Sequence, residues 1–121
     1  MSSKPPSDGK PTSLEGWLEK KGHGKVHMGG DWQKRYLRVD ERTGSLSYSK
    51  SSSSSDKSAG SIDLKLAKDI FPYNKDGKSD YTRFNIDIGD RVFKFKANTE
   101  TEGQRWVEGL NEWKDYFLLN M

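Results

Sequence analysis

The sequence predicts an all-β barrel or sandwich of six or seven short antiparallel strands, closed at one end by a single C-terminal helix. Three observations carry this. Apolar residues alternate with polar ones in short runs, as in Phe84, Ile86, Ile88 and again in Phe93, Phe95, Ala97. The period changes after Asn98, where Trp106, Leu110, Trp113 and Phe117 fall at helical spacings of 4, 3 and 4. Only 31% of the chain is hydrophobic, with a mean hydropathy of −1.01, yet it holds 4 Trp, 5 Tyr and 5 Phe. Chains without a fold are poor in aromatics, and each buried ring removes about 150–250 Å² from water, so a small aromatic core is expected.

The elements follow in order. Residues 1–13 are mostly Ser, Pro and Lys with no apolar period, and read as a disordered leader before a single domain at 14–121. Glu15–Lys21 reads as the first strand, and Gly22–Gly30, with four glycines, as a mobile loop. Asp31–Val39 is the second strand, with Gln33, Arg35, Leu37 on one face and Trp32, Lys34, Tyr36, Arg38 on the other. Asp40–Gly44 is a hairpin turn and Ser45–Lys50 the third strand. Ser51–Ser58 is low in complexity and reads as a flexible loop. A fourth strand is expected at Gly60–Leu64, with Lys65–Ile70 either continuing it or pairing separately. Asn74–Asp80 reads as a polar turn. Tyr81–Ile88 and Arg91–Ala97 form the last hairpin across Gly89-Asp90. Thr99 with Glu102 makes a capping box that opens the helix.

Composition excludes several function classes. With no cysteine there is no disulfide framework, no thiol chemistry and no Cys-based zinc site, which fits a reducing, cytoplasmic setting. No nucleophile stands with a base, so no enzyme and no cofactor are expected. His23 and His27 lack acidic neighbours to complete a metal site. Aromatic and basic residues interleave on one face only at Trp32, Lys34, Tyr36 and Arg38, so no nucleic-acid role is expected.

The net charge of +3 is small, but it is unevenly placed. Between Trp17 and Arg38, Lys20, Lys21, Lys25, Lys34, Arg35 and Arg38 face only Glu19 and Asp31, a net +4. From Thr99 onward, Arg105 and Lys114 face Glu100, Glu102, Glu108, Glu112 and Asp115, a net −3. A positive first hairpin opposite a negative helix orients a molecule toward an anionic surface.

Gly16-Trp17-Leu18-Glu19-Lys20 followed by Trp32-Gln33-Lys34-Arg35-Tyr36-Leu37-Arg38-Val39 resembles the opening hairpin of a pleckstrin homology (PH) domain. Leu46-Ser47-Tyr48, Gly60-Ser61-Ile62-Asp63-Leu64 and Arg91–Ala97 are similar to later strands of that family. Trp106 sits where the family keeps a near-invariant Trp. The resemblance implies seven strands in two near-orthogonal sheets, a capping helix and a phosphoinositide site at the open end. Lys20 then matches the first-strand lysine, Arg35 the second-strand arginine and Tyr48 a phosphate-bonding tyrosine, with Lys25 a further basic residue in the loop. Gln33 stands where the pattern has Lys or Arg, and Ser58-Ala59 where tight binders carry a basic residue. The resemblance therefore implies a membrane-targeting module with modest affinity and broad anionic-lipid preference. Lys21, Val26, Met28 and Lys34 are the expected membrane-surface contacts, and reversible recruitment of a monomer from the cytoplasm is expected. The alternative is a protein-interaction or autoinhibitory module with little lipid binding.

Overall fold

A computed structural model describes residues 9–22, 32–53 and 60–120. The strands are β1 (Glu15–Lys21), β2 (Trp32–Asp40), β3 (Ser45–Ser49), β4 (Gly60–Asp63), β5 (Asp69–Lys75), β6 (Lys78–Asp87) and β7 (Val92–Lys96). Among the described residues, one α-helix, α1 (Glu100–Leu119), follows the last strand.

All seven strands are antiparallel to their neighbours in one sheet, in the order β4-β3-β2-β1-β7-β6-β5. Two expectations are thereby corrected. The ladder runs unbroken rather than dividing into two sheets, and it does not close into a barrel. Its two edges, β4 and β5, are not paired to each other. The cause is local. β4 is only four residues long, and a 3-10 turn at Leu64–Leu66 diverts the chain. β5 carries Pro72, which has no N–H to donate and suits an edge.

The same turn decides the Lys65–Ile70 segment. It does not continue β4 but pairs anew with β6, Ile70 opposite Ile86. The polar turn expected over Asn74–Asp80 is far tighter. Asp76 and Gly77, at φ of 54° and 80°, form a two-residue hairpin connection, while Asn74–Lys75 and Lys78–Asp80 are strand. Asn74 Oδ1 accepts from the Gly77 N–H at 3.1 Å. This hairpin tip is exposed on both faces, so its residues show no apolar alternation.

The core lies between one side of the sheet and α1. Leu18, Leu37, Leu46, Phe84, Ile86 and Phe95 meet Trp106, Leu110 and Trp113, all buried. Phe84 and Phe95 stack at 5.3 Å, as their cross-strand register requires. Burying each indole contributes about 4–6 kcal/mol of gross hydrophobic stabilisation. α1 is capped as its sequence predicts, with Thr99 Oγ1 accepting from the Glu102 N–H at 3.1 Å. The return bond from Glu102 reaches the N–H of Asn98, one residue before the cap. Gly103 lets α1 lie directly on β6, where a Cβ would overlap the Tyr81 carbonyl. Asn111 Nδ2 donates to the Ile70 carbonyl at 3.1 Å, tying α1 to β5. Of the expected leader, residues 9–13 are described. Thr12 accepts from Trp113 Nε1 at 2.9 Å, and Lys10 pairs with Glu41 at 2.8 Å.

The helix covers the end of the sheet that holds the β2–β3 turn, where Gly44 meets Phe117. The opposite end holds the last residues of β1 and β3 and the first of β2, β4 and β7.

Candidate functional site

Strand parity places the first member of the site. In β1, Leu18 and Lys20 point to the interior, and Lys20 is the only charged residue that is buried among those described, at 7% exposure. Its stem extends the core while its ammonium reaches the uncovered end. In register, Leu18 faces Arg35 and Lys20 faces Gln33. Side chains directly opposite in an antiparallel pair share a face, so Arg35 and Gln33 lie on the Lys20 side, as expected.

Lys20 Nζ lies 4.8 Å from the Tyr48 ring centre and 5.8 Å from that of Phe93. Arg91 sits 4.0 Å over the other ring of this group, Phe93. Two aromatic rings thus carry two cations at one end of the sheet. Tyr48 faces Gly60 across the β3–β4 ladder, and a Cβ on Gly60 would collide with the tyrosine ring and hydroxyl. The glycine gives the ring its seat.

The electrostatics are one-sided. Burial, then the charges of Arg91 and Arg35, hold the Lys20 pKa below the ordinary lysine value of 10.5. Among the described residues four ion pairs form, and none contains Lys20, Arg35 or Arg91. Arg35 Nη1 donates to the Lys34 carbonyl at 2.7 Å, and Nη2 donates to Gln33 Oε1 at 3.1 Å. Gln33 therefore holds the guanidinium without adding charge. Arg35 keeps further N–H groups, since a guanidinium has five. Among the described residues, Lys20 Nζ donates one long bond, 3.4 Å, to the Lys21 carbonyl. Lys20 and Arg91 at the two rings, with Arg35 on the same face of β2 and near enough to repel Lys20, make an electropositive cluster whose N–H donors are not all used among the described residues.

The other expected residues fall in different places. Lys21 lines a hollow of about 170 Å³ at the rim, with Gly22, Arg91, Phe93 and Lys94. Lys34 points to the outer face, 5.0 Å over the Trp17 ring. Lys25, Val26 and Met28, with His23 and His27, lie outside the described residues. Arg91 is the member that the sequence reading missed. Its signal was available, because Arg91 shares the parity of Phe93 and Phe95, the inward face of the last hairpin. No group of three or more His, Cys, Asp or Glu positioned for a metal occurs among the described residues. No described helix is long and apolar enough to cross a membrane.

A family model described as the PH domain matches residues 12–114. The solution structure of the PH domain of human TBC1 domain family member 2 protein is 29% identical, with a TM-score of 0.69, covering 96% of this chain and 90% of that one. The PH domain of human oxysterol binding protein-related protein 11 is 24% identical, with a TM-score of 0.71, covering 91% and 86%. The C-terminal PH domain of pleckstrin, crystallised in complex with D-myo-Ins(1,2,3,5,6)P5, is 19% identical, with a TM-score of 0.65, covering 86% and 97%. No curated protein sequence matches the chain significantly.

Proposed function

We propose, from the premise that this chain belongs to the PH domain family, that it is a non-catalytic module that binds inositol phosphate groups at the open end of its sheet and so docks on phosphoinositide-containing membrane. The grouping of Lys20 and Arg91 at Tyr48 and Phe93, with Arg35 beside Lys20 on the same face and no carboxylate paired to any of the three among the described residues, carries this reading. A phosphate dianion would relieve the mutual repulsion of the cations and fill their free donors. The fold admits such a ligand, since the pleckstrin domain was crystallised with an inositol pentakisphosphate. Lys20 supplies a point charge and Arg35 a planar fork. Tyr48 offers its hydroxyl, and Gln33 orients Arg35. Lys21 and Lys34, with Lys25, Val26 and Met28 of the loop, meet the membrane surface, each cation adding about 1 kcal/mol near an anionic leaflet. With Gln33 in place of a base, affinity is modest and preference among anionic inositol lipids broad.

The test is an NMR titration with a soluble inositol polyphosphate, followed by co-sedimentation with vesicles containing phosphoinositide or only phosphatidylserine. Lys20→Ala with Arg35→Ala should abolish the headgroup shifts and the phosphoinositide-dependent sedimentation. Undiminished binding of phosphoinositide vesicles by the double variant would refute the pocket. Binding of the soluble headgroup without vesicle binding would assign the site to free inositol phosphates instead.

A further inference from the structure

The outer side of the sheet carries a second arrangement that the open-end pocket does not use. Across four strands the register places Arg83 opposite Lys96, Lys96 opposite Glu19, and Glu19 opposite Lys34. These residues form one row with three cations and one carboxylate. Each cation lies on an aromatic ring. Lys96 Nζ is 4.5 Å from the Trp32 ring centre, and Arg83 stands 5.8 Å from Trp32 and 5.3 Å from Tyr73. Lys34 covers Trp17, which is itself 38% exposed. No ion pair among the described residues engages Lys34, Arg83 or Lys96. A shallow groove of about 230 Å³ runs between Trp17, Glu19, Lys34, Lys96 and Asn98.

We infer that this face is a docking surface for an extended acidic segment of a partner protein. Charge complementarity requires an anionic occupant, and the arrangement selects its form. Neighbouring strands stand about 4.8 Å apart, so Arg83 and Lys96 are spaced by about 5 Å and Lys34 lies about 10 Å beyond Lys96. An extended chain repeats side chains on one side about every 6.8 Å, so alternate carboxylates crossing the strands reach these cations in turn. The rings hold the cations flat against the sheet, which lowers the entropy lost when a carboxylate binds. Stacking of nucleic-acid bases needs bare ring faces, and here those faces already carry cations. Lys20 points inward from β1 while Glu19 points outward, so this surface and the open-end pocket can be filled together. The inference does not rest on the headgroup pocket, and Lys34 is the one residue it shares with the proposed membrane contacts.

The test is fluorescence anisotropy with a labelled peptide of alternating Glu and Ser, alongside amide-shift mapping on the wild-type protein. The expected result is saturable binding with shifts centred on Trp17, Lys34, Arg83 and Lys96. Arg83→Glu with Lys96→Glu should weaken the peptide at least about tenfold while leaving inositol polyphosphate binding intact. Lys20→Ala with Arg35→Ala should do the reverse. Absence of peptide binding, or shifts centred on Lys20, would overturn the inference. So would tighter binding at this face of a single-stranded oligonucleotide of equal charge, or of phosphatidylserine vesicles. None of these failures touches the response of the headgroup to the Lys20 and Arg35 changes.

Discussion

Replacing Lys20 by Met separates what this residue does for binding from what it does to the fold. The two side chains are similar in length and unbranched, so Met keeps the stem packed near Tyr48 and Phe93 and removes only the ammonium. That ammonium is partly desolvated, lacks a carboxylate partner among the described residues, and is repelled by Arg91 and Arg35. Removing a desolvated, uncompensated charge should stabilise the fold by on the order of 1 kcal/mol. In a domain of this size that is a rise in Tm of about 4 °C. The pH dependence has a definite direction. Because the folded-state pKa lies below 10.5, protonated Lys20 costs stability at neutral pH. The cost is full below the folded pKa and fades as pH climbs toward the unfolded value. Wild type should therefore gain on Lys20→Met through the alkaline range. Binding moves oppositely, since losing a charge-assisted contact to phosphate costs about 1.5–3 kcal/mol, or about 10- to 150-fold in Kd. Thermal unfolding followed by circular dichroism at several pH values, with calorimetric titration of an inositol polyphosphate, reads both quantities. A Tm lowered by several degrees, or an unchanged Kd, would refute the reasoning.

Other outcomes follow from the same geometry. Arg91→Ala should weaken inositol polyphosphate about five- to tenfold by titration, without lowering Tm, because its charge opposes Lys20 rather than anchoring a carboxylate. Thr99→Ala removes the α1 cap and should cost about 1 kcal/mol in urea unfolding, with the slope unchanged. Gly103→Ala puts a methyl group into the Tyr81 carbonyl. It should cost about 3 kcal/mol or lift the helix, visible as exposure of Trp106 and Trp113 in their fluorescence.

Legibility in the sequence tracked burial. The helix was readable because Trp106, Leu110 and Trp113 are wholly buried and their spacing admits no other period. The last hairpin was readable because Phe84, Ile86, Phe93 and Phe95 alternate on one buried face. The β5–β6 tip was not, because Asn74, Lys75, Lys78 and Ser79 are exposed on both faces and a strand without a buried side shows no alternation. Only the Asp76-Gly77 pair marked it. The open sheet was hidden for another reason: the short β4 and Pro72 of β5 suit edges, but whether two strands so distant in sequence meet is a non-local property. In the site, the second-strand parity put Arg35 on the face of Lys20, whereas the parity of Arg91 gave only its inward direction, and its meeting with Lys20 depends on the β1–β7 pairing, Lys20 opposite Phe95, which is non-local.

That pairing also explains why one short strand serves two surfaces. β1 lies between β2 and β7 near the middle of the sheet, so its inward residues join the core end and its outward residues the exposed face. Lys20 meets Tyr48 and Phe93 on one side, while Trp17 and Glu19 meet Lys34 and Lys96 on the other. A shift of one residue in β1 would exchange them, burying Glu19 and exposing Leu18. The register is held by Leu18 in the core and by Arg38, which donates to Glu15 at 2.7 Å across the strand pair. Glu15→Ala leaves Leu18 in place, and an exposed ion pair contributes under about 1 kcal/mol. Amide exchange in β1 should therefore stay slow in Glu15→Ala, and accelerate sharply in Leu18→Ala as both surfaces lose their common frame. Equal exchange in the two variants would show that the surface pair, not the core leucine, sets the register.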